Sequence, residues 1–430
     1  MRKMKDSGIE WIGEIPGNWS IDKVKYCANL DVNKLSEHTD PEYEFNYIDI
    51  SSVTEYGGIG ETTEMTFGKS PSRARMVVSN GDTIISTVRT YLKAIAYIDC
   101  LKDHICSTGF CVVTPSKKLH PKFGYYLLQS DYFVQKIVSE SVGVSYPAIS
   151  STEIGNIPIA IPNIQKQSRI ADYLDKKCAE IDAIIAAKEK TNELLKERRQ
   201  SIIYEAVTKG LDPTAPMKDS GIEWIGEIPE SWSVGKLGYF IQVFNGDRSS
   251  NYPSGNDLQE EGIPFLTSSN LEKDELTLFG CKYISQEKYD SMGGFKMQIN
   301  DIIYCLRGSV GKCSINLTET QGTVASSLMG IRCTNIYPKF LLYVLKSSVI
   351  ETQNALFMNG TCAANLSAEN VVEYKIPVLD TEMQIDIVSY LDKKCTELDD
   401  LITSNETTIE KLKEYRQSVI YEAVTGKVEI

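Results

Sequence analysis

Residues 4–16 read MKDSGIEWIGEIP, and residues 217–229 read MKDSGIEWIGEIP again, 213 positions further on. The recurrence is not confined to this opening. YLDKKCAEID at 173–182 returns as YLDKKCTELD at 390–399, and RQSIIYEAVT at 199–208 returns as RQSVIYEAVT at 416–425, both 217 positions later. HPKFGYYLLQS at 120–130 matches YPKFLLYVLKS at 337–347 at the same offset. The chain therefore has the order A–B–A′–B′. Solenoid repeats run about 20–50 residues, so this long period is a tandem duplication of a domain plus a helix.

The A parts, roughly 20–160 and 233–378, carry short β-rich runs between Gly, Asn, Asp and Pro turn signals: FNYIDISSV, GDTIISTV and GFCVVTP in the first, IPFLTSSN, NDIIYCLRGSVGKCSI and SLMGIRC in the second. Helical patterns follow around 121–139 and 338–355. The flanks of the two copies are nearly identical while their interiors diverge, which suggests one scaffold carrying two readouts. The opening segment is either held identical by an identical constraint in each half or has simply not drifted since duplication. Trp11, Ile12, Ile15 and Trp19 are expected to pack on their own domain.

The B parts are helical, with no Pro or Gly from Gln167 to Thr208. A heptad seam places Leu174, Ile181, Lys188, Leu195 and Ile202 at d and Cys178, Ile185, Asn192, Arg199 and Ala206 at a. The second copy places Leu391, Leu398, Asn405, Leu412 and Val419 at d, and Cys395, Ile402, Ile409, Arg416 and Ala423 at a. A sustained seven-residue period predicts a coiled coil. Two helices packed separately on their own domains are the alternative; the matched seams favour mutual pairing. Within one chain that pairing is antiparallel and relates the halves by a pseudo-two-fold axis. A helix of forty residues spans ~60 Å, so the predicted architecture is a reader at each end of a strut. The fold class is α+β: two globular mixed α/β domains separated by an antiparallel two-helix coiled coil. The segments are 1–162, 163–210, 211–378 (211–216 a linker) and 379–430. The interface residues expected are Leu174, Ile181, Ile185, Leu195, Ile202, Leu391, Leu398, Ile402, Leu412 and Val419.

Bulk composition excludes several classes. The 430 residues imply two or three domains. No apolar run follows the basic N-terminus, and none approaches the ~18–20 residues of a membrane span, so a cytoplasmic protein is expected. Eleven scattered cysteines and three histidines make no zinc pattern; Cys100, Cys106 and Cys111 read as small buried residues on neighbouring strands. RGSVGKCS at 307–314 lacks the first glycine and the terminal hydroxyl of a phosphate loop, with Leu306 and Cys313 in those places, and reads as a hairpin bend. No other cofactor or nucleophile motif occurs, so no catalysis, metal or cofactor is assigned to this chain.

What remains is recognition. The loops mix cations, hydroxyls, amides and tyrosine, the groups that read base edges and grip phosphate. In the first reader the candidates are Lys69, Arg73, Arg75, Arg89, Tyr91 and Lys93. In the second they are Arg248, Ser250, Asn251, Tyr252, Asn270, Arg307 and Lys312. The net charge of −13 opposes a broad nucleic-acid-binding surface. The readers, 21–162 and 234–378, hold 13 and 12 Lys/Arg against 16 and 14 Asp/Glu. Phosphate attraction supplies most non-specific affinity, so partners are expected to provide much of the grip.

The doubled MKDSGIEWIGEIP-x-x-W, the YLDKKC-x-E-[IL]-D helices with RQS-[IV]-IYEAVT ends, and the A–B–A′–B′ order together resemble the specificity subunit of type I restriction-modification systems, over essentially the whole chain. That resemblance implies two target recognition domains, each reading half of a split asymmetric DNA sequence, with the helices setting the gap. It also implies two modification subunits docked on the helices and bringing S-adenosylmethionine, and restriction subunits with ATP and Mg²⁺. Two rivals stay open on residues alone: an adaptor displaying two protein- or carbohydrate-binding modules on a spacer, and a stand-alone nuclease.

Overall fold

In the computed structural model, which describes residues 3–54, 57–99, 103–247, 249, 251–358 and 365–430, the repeated opening is a small hairpin. β1 (Met4–Asp6) pairs antiparallel with β2 (Glu14–Pro16), Met4 opposite Pro16. Asp6 accepts the Gly8 amide at 2.9 Å, and Gly8 and Gly13 take φ of +72° and +69°, which glycine adopts without a Cβ penalty. Ile12, Ile15 and Trp19 turn into the core as expected. Trp11 does not: it stays 36% exposed, with the Lys136 ammonium 4.5 Å over its ring.

Two compact units form, residues 1–189 with 406–430, and residues 190–405. In the first, β3 (Ser20–Lys23) pairs with β12 (Pro158–Ile161), bringing the two ends of the reader together. A short α1 (Val24–Cys27) leads into β4 (Ala28–Leu30). One four-stranded sheet has the order β6-β5-β10-β7, from β5 (Glu44–Ile48), β6 (Thr63–Thr66), β7 (Ala74–Val77) and β10 (His104–Ser107), with β10 parallel to β5. The other, β4-β11-β8-β9, is antiparallel and uses β8 (Thr83–Ser86), β9 (Ile95–Tyr97) and β11 (Phe110–Pro115). Helices α2 (Pro121–Gln129), α3 (Asp131–Glu140) and α4 (Ser151–Asn156) follow. Proline starts α2, where its missing N–H costs no hydrogen bond. Cys106 and Cys111 are buried, the latter thiol pushed up to about 12 by burial; Cys100 lies outside the described residues. Helix α5 (Ile164–Lys209) is continuous for 46 residues.

The second unit repeats the plan. β13 (Met217–Asp219) and β14 (Glu227–Pro229) rebuild the hairpin, and β15 (Ser233–Lys236) pairs with β23 (Lys375–Val378). One sheet is β16-β22-β19-β20, from β16 (Ile241–Asn245), β19 (Ile302–Cys305), β20 (Cys313–Ile315) and β22 (Leu328–Cys333). The other is β18-β17-β21, from β17 (Ile263–Leu266), β18 (Lys282–Ile284) and β21 (Thr323–Val324). The RGSVGKCS stretch is the bend between β19 and β20, with Gly308 and Gly311 at φ +78° and +89°. Helices α6 (Gln286–Ser291), α7 (Pro338–Leu345), α8 (Ser348–Phe357), α9 (Ala368–Val372) and α10 (Thr381–Val424) complete the chain.

The units do not follow the four sequence segments, because each long helix is shared between them. The start of α5 and the end of α10 belong to the first unit, the end of α5 and the start of α10 to the second. Of the predicted interface residues, Ile181, Ile185 and Leu412 form a seam with Ile409. Leu174 and Val419 instead sink into the first unit's main core, alongside Ile12, Ile15 and Trp19. Ile202, Leu391 and Leu398 join the second unit's core; Ile402 is buried and Leu195 half-buried there. Mutual pairing and packing on the readers therefore both occur, at different heights along one seam. A fully buried isoleucine stabilises by about 1.5–3 kcal/mol, so the helix ends are firmly held. The pairing is antiparallel: Asn192 meets Asn405 at 2.9 Å, while Arg199, further along α5, meets Asp399, earlier on α10, at 3.2 Å.

Candidate nucleic-acid interface

Each long helix is fixed to its reader by the same polar set. Gln167 donates to the Pro162 and Lys118 carbonyls at 2.9 and 3.0 Å and accepts the His120 amide at 2.8 Å. Gln384 does likewise with the Leu379 carbonyl and the Tyr337 amide at 2.9 and 2.7 Å. Tyr126 donates to Asp175 at 2.7 Å and Tyr343 to Asp392 at 2.8 Å. Burial first, and then the adjoining carboxylate, push both phenols far up, so they stay protonated donors. These anchors position the loops that follow.

In the first unit a cleft of about 1100 Å³ opens between the reader's loops and α10. Four predicted residues line it: Arg73, Arg89, Tyr91 and Lys93. Arg89 and Lys93 flank a single 3₁₀ turn, Thr90–Leu92, and both take left-handed φ, 50° and 53°. Such backbone is costly for non-glycine residues and persists only where the surroundings enforce it. Here the enforcement is visible. The Arg89 amide donates to the Pro147 carbonyl at 2.8 Å, Thr90 and Ser141 share a 2.8 Å hydroxyl bond, and the Arg89 guanidinium lies 4.8 Å over the Tyr146 ring. The turn holds Tyr91 52% exposed. Arg73 donates to Asp49 at 2.8 Å and to Tyr47 at 3.2 Å. Lys93 lies 3.8 Å from Asp131, an exposed pair of little strength. Lys69 is exposed outside the cleft. Arg75 serves the fold: it stacks 4.5 Å over Phe67 and donates to the Ala74 carbonyl at 2.8 Å. Tyr146, and Lys413 and Gln417 from α10, also line the cleft. Tyr146 sits among small residues with no cation beside it in sequence. Lys413 and Gln417 become cleft residues only once α10 is folded back onto the first reader.

The second unit has a cleft of about 1210 Å³ in the repeat-equivalent place, lined by Lys196, Arg199 and Gln200 of α5. Of the described residues predicted to touch DNA, only Lys312 lines it, and Lys312 is paired with Glu272 at 2.7 Å. Asp274 bridges Arg199, at 2.7 Å, and Lys346; against burial, which works to raise it, these two cations hold its carboxyl below the usual range. Asn270 is corrected from reader to scaffold. It is 1% exposed, accepts the Thr267 amide at 3.0 Å and donates to the Thr277 carbonyl at 3.3 Å. Tyr252 is half-buried, edge-on to Phe265 at 5.6 Å. Asn251 and Arg307 are exposed, donating to the Ser291 carbonyl at 2.9 Å and to Asn365 at 3.0 Å. Arg248 and Ser250 lie outside the described residues. Among the described residues no cluster of three His, Cys, Asp or Glu could hold a metal ion, and no helix is long and apolar enough to cross a membrane.

The family described as "Type I restriction modification DNA specificity domain" matches residues 40–196 and again 229–414. Among relatives, the type I restriction enzyme MjaIX specificity subunit of Methanocaldococcus jannaschii is 22% identical over 97% of this chain and 95% of its own. The EcoBI specificity subunit of Escherichia coli is 23% identical over 77% and 71%. A chain solved in work on complex assembly and conformational transition of the type I R-M system superposes with a TM-score of 0.74 at 22% identity, covering 96% of this chain and 99% of that one, which establishes the shared fold. The chain belongs to the type I restriction-modification DNA specificity family.

Proposed function

We propose that the first unit reads one half of a two-part DNA sequence through the turn Arg89–Lys93 and Arg73, and that the second unit reads a different half. DNA sequence recognition without catalysis is the role of this family, and the chain carries it. The observation that carries the finer reading is the pair of repeat-equivalent clefts: α10 and α5 supply matching residues, while the readers supply different ones. The paired helices set the gap between the half-sites.

Two modification subunits dock, in this reading, on repeat-equivalent surfaces. The least diverged segments meet in space: Tyr421 of α10 reaches the Ile12 carbonyl at 3.4 Å, and Tyr204 of α5 donates to the Ile225 carbonyl at 3.0 Å. Two like partners need two like surfaces, and segments joined in one surface cannot drift independently. S-adenosylmethionine, ATP and Mg²⁺ then belong to the partner subunits, restriction subunits complete the assembly, and the cytoplasm is its compartment. The experiment is sequencing of methylated adenines in host DNA with wild type and Arg89→Ala. Relaxation or loss of one half-site, with the other half and the gap unchanged, is expected; equal loss at both half-sites would contradict the assignment.

A further inference from the structure

The C-terminal ends of the two long helices are nearly interchangeable. Residues 199–208 and 416–425 differ only at Ile202 and Val419, and the hairpins they pack on are identical. The sockets that receive them therefore cannot tell the chain's own helix from that of a second copy. Along the seam, α5 and α10 differ at four positions. Two are conservative, Ile181 for Leu398 and Ile202 for Val419. The other two sit together at the centre: Lys188 stands where α10 has Asn405, and Asn192 where α10 has Ile409.

The structure joins Asn192, 6% exposed, to Asn405 by a 2.9 Å amide bond. The same antiparallel register sets Ile185 beside Leu412, which share the seam cluster, and Lys188 opposite Ile409. Only the α5·α10 pair gives this match. Two copies of α10 paired in this register would set Asn405 against Ile409 in both central layers, and neither Asn405 would keep its amide bond to an asparagine across the seam. Two copies of α5 would bring Asn192 against Lys188 twice, placing two lysine cations in adjacent layers.

We infer that the central residues Lys188, Asn192, Asn405 and Ile409 select pairing of α5 with α10 over pairing of either helix with the same helix of a second copy, and so keep like helices of two chains from pairing. A buried asparagine in a seam costs stability and sets register and partner; here its position breaks the internal symmetry at the one place where breaking it decides the pairing. The inference is independent of what the readers bind.

The test uses the full chain carrying either of two affinity tags, co-expressed in one cell, with capture on one tag, detection of the other, and native mass spectrometry. Wild type is expected at background. Asn405→Ile strands Asn192 within the chain but makes both central layers of an α10·α10 pair apolar; cross-capture should rise at least about tenfold, the factor that one lost buried amide partner implies. The exchange variant K188N/N192I/N405K/I409N gives each helix the other's central pair, restores the match, and should return to background. A folded Asn405→Ile that stays at background, or an exchange variant that self-associates as strongly, overturns the inference. If Asn405→Ile is insoluble, N192L/N405L decides: raised thermal stability with cross-capture above background supports the inference, and cross-capture at background overturns it.

Discussion

The two clefts share one wall and differ in the other. Lys413, Arg416 and Gln417 in the first unit correspond in the repeat to Lys196, Arg199 and Gln200 in the second. On the reader side, the first cleft holds Arg89 and Lys93 in an enforced turn with an exposed tyrosine, beside Arg73, and the second holds Lys273, Lys312 and Lys346 among Glu272, Asp274 and Glu275. One scaffold has thus been given an open cationic cleft and a largely neutralised one. The shared arginine shows the difference at a single position: Arg416 donates to Asp182 at 2.9 Å and Gln129 at 3.3 Å, whereas Arg199 also binds Asp274, which Lys346 shares.

The largest expected effect breaks the comparison at those arginines. Arg416→Ala removes a buried cation from a seam carboxylate and should destabilise the first unit by about 3–5 kcal/mol, as loss of one partner of a buried pair does. Arg199→Ala leaves Asp274 its second cation, so its loss should be smaller, about 2 kcal/mol. Denaturant unfolding of the two variants checks the order; equal losses would show that Lys346 does not compensate for Arg199.

Next come the readers. Arg89→Ala should weaken specific binding by about 1–3 kcal/mol, the range for one base-reading arginine. Lys312→Ala should cost less, because Glu272 already neutralises it. Glu272→Gln should then tighten binding through the second half-site, measured by titration of the assembled complex on duplexes with one half-site scrambled. No gain on removing Glu272 would mean Lys312 faces no phosphate.

The sequence makes the scaffold legible and the clefts only in part, for a physical reason. Duplication writes itself as identity, a heptad seam writes itself as period, and the strand runs at 83–86 and 328–333 stand out by their apolar residues. The turn at Arg89 was visible because cations, hydroxyls and tyrosine lie together along the chain. Asn270 looked the same but points inward, since an amide that caps a turn and one that reads a base have the same composition. The sharing of each long helix between units was not legible, because a heptad states that a face is apolar and not what covers it. At Leu174 and Val419 the cover is the reader; at Ile181 and Ile185 it is the other helix.

A smaller effect concerns salt. If partners provide much of the grip, the free chain should show a shallow dependence of log affinity on log salt and the assembled complex a steep one, since the slope counts displaced phosphate counterions at about 0.9 each. Equal slopes would place the phosphate contacts on this chain despite its charge of −13.

The smallest is a pH effect confined to the second unit. Asp274 is buried, which works to raise its carboxyl, yet Lys346 and Arg199 hold it below its ordinary value. A carboxyl depressed in the folded state contributes stability that is fully present above its unfolded value, near ~3.9, and is lost as pH falls through the lower folded value. The second unit should therefore lose stability on acidification below about pH 4, and Asp274→Asn should start lower but change less across that window. Arg199 and Lys346 then repel each other with no carboxylate between them, so the variant's deficit should be largest at neutral pH and shrink on acidification. Melting curves at pH 7 and about pH 2.5 for both proteins measure the difference; a deficit that does not shrink would mean that the Asp274 carboxyl is not depressed in the folded state.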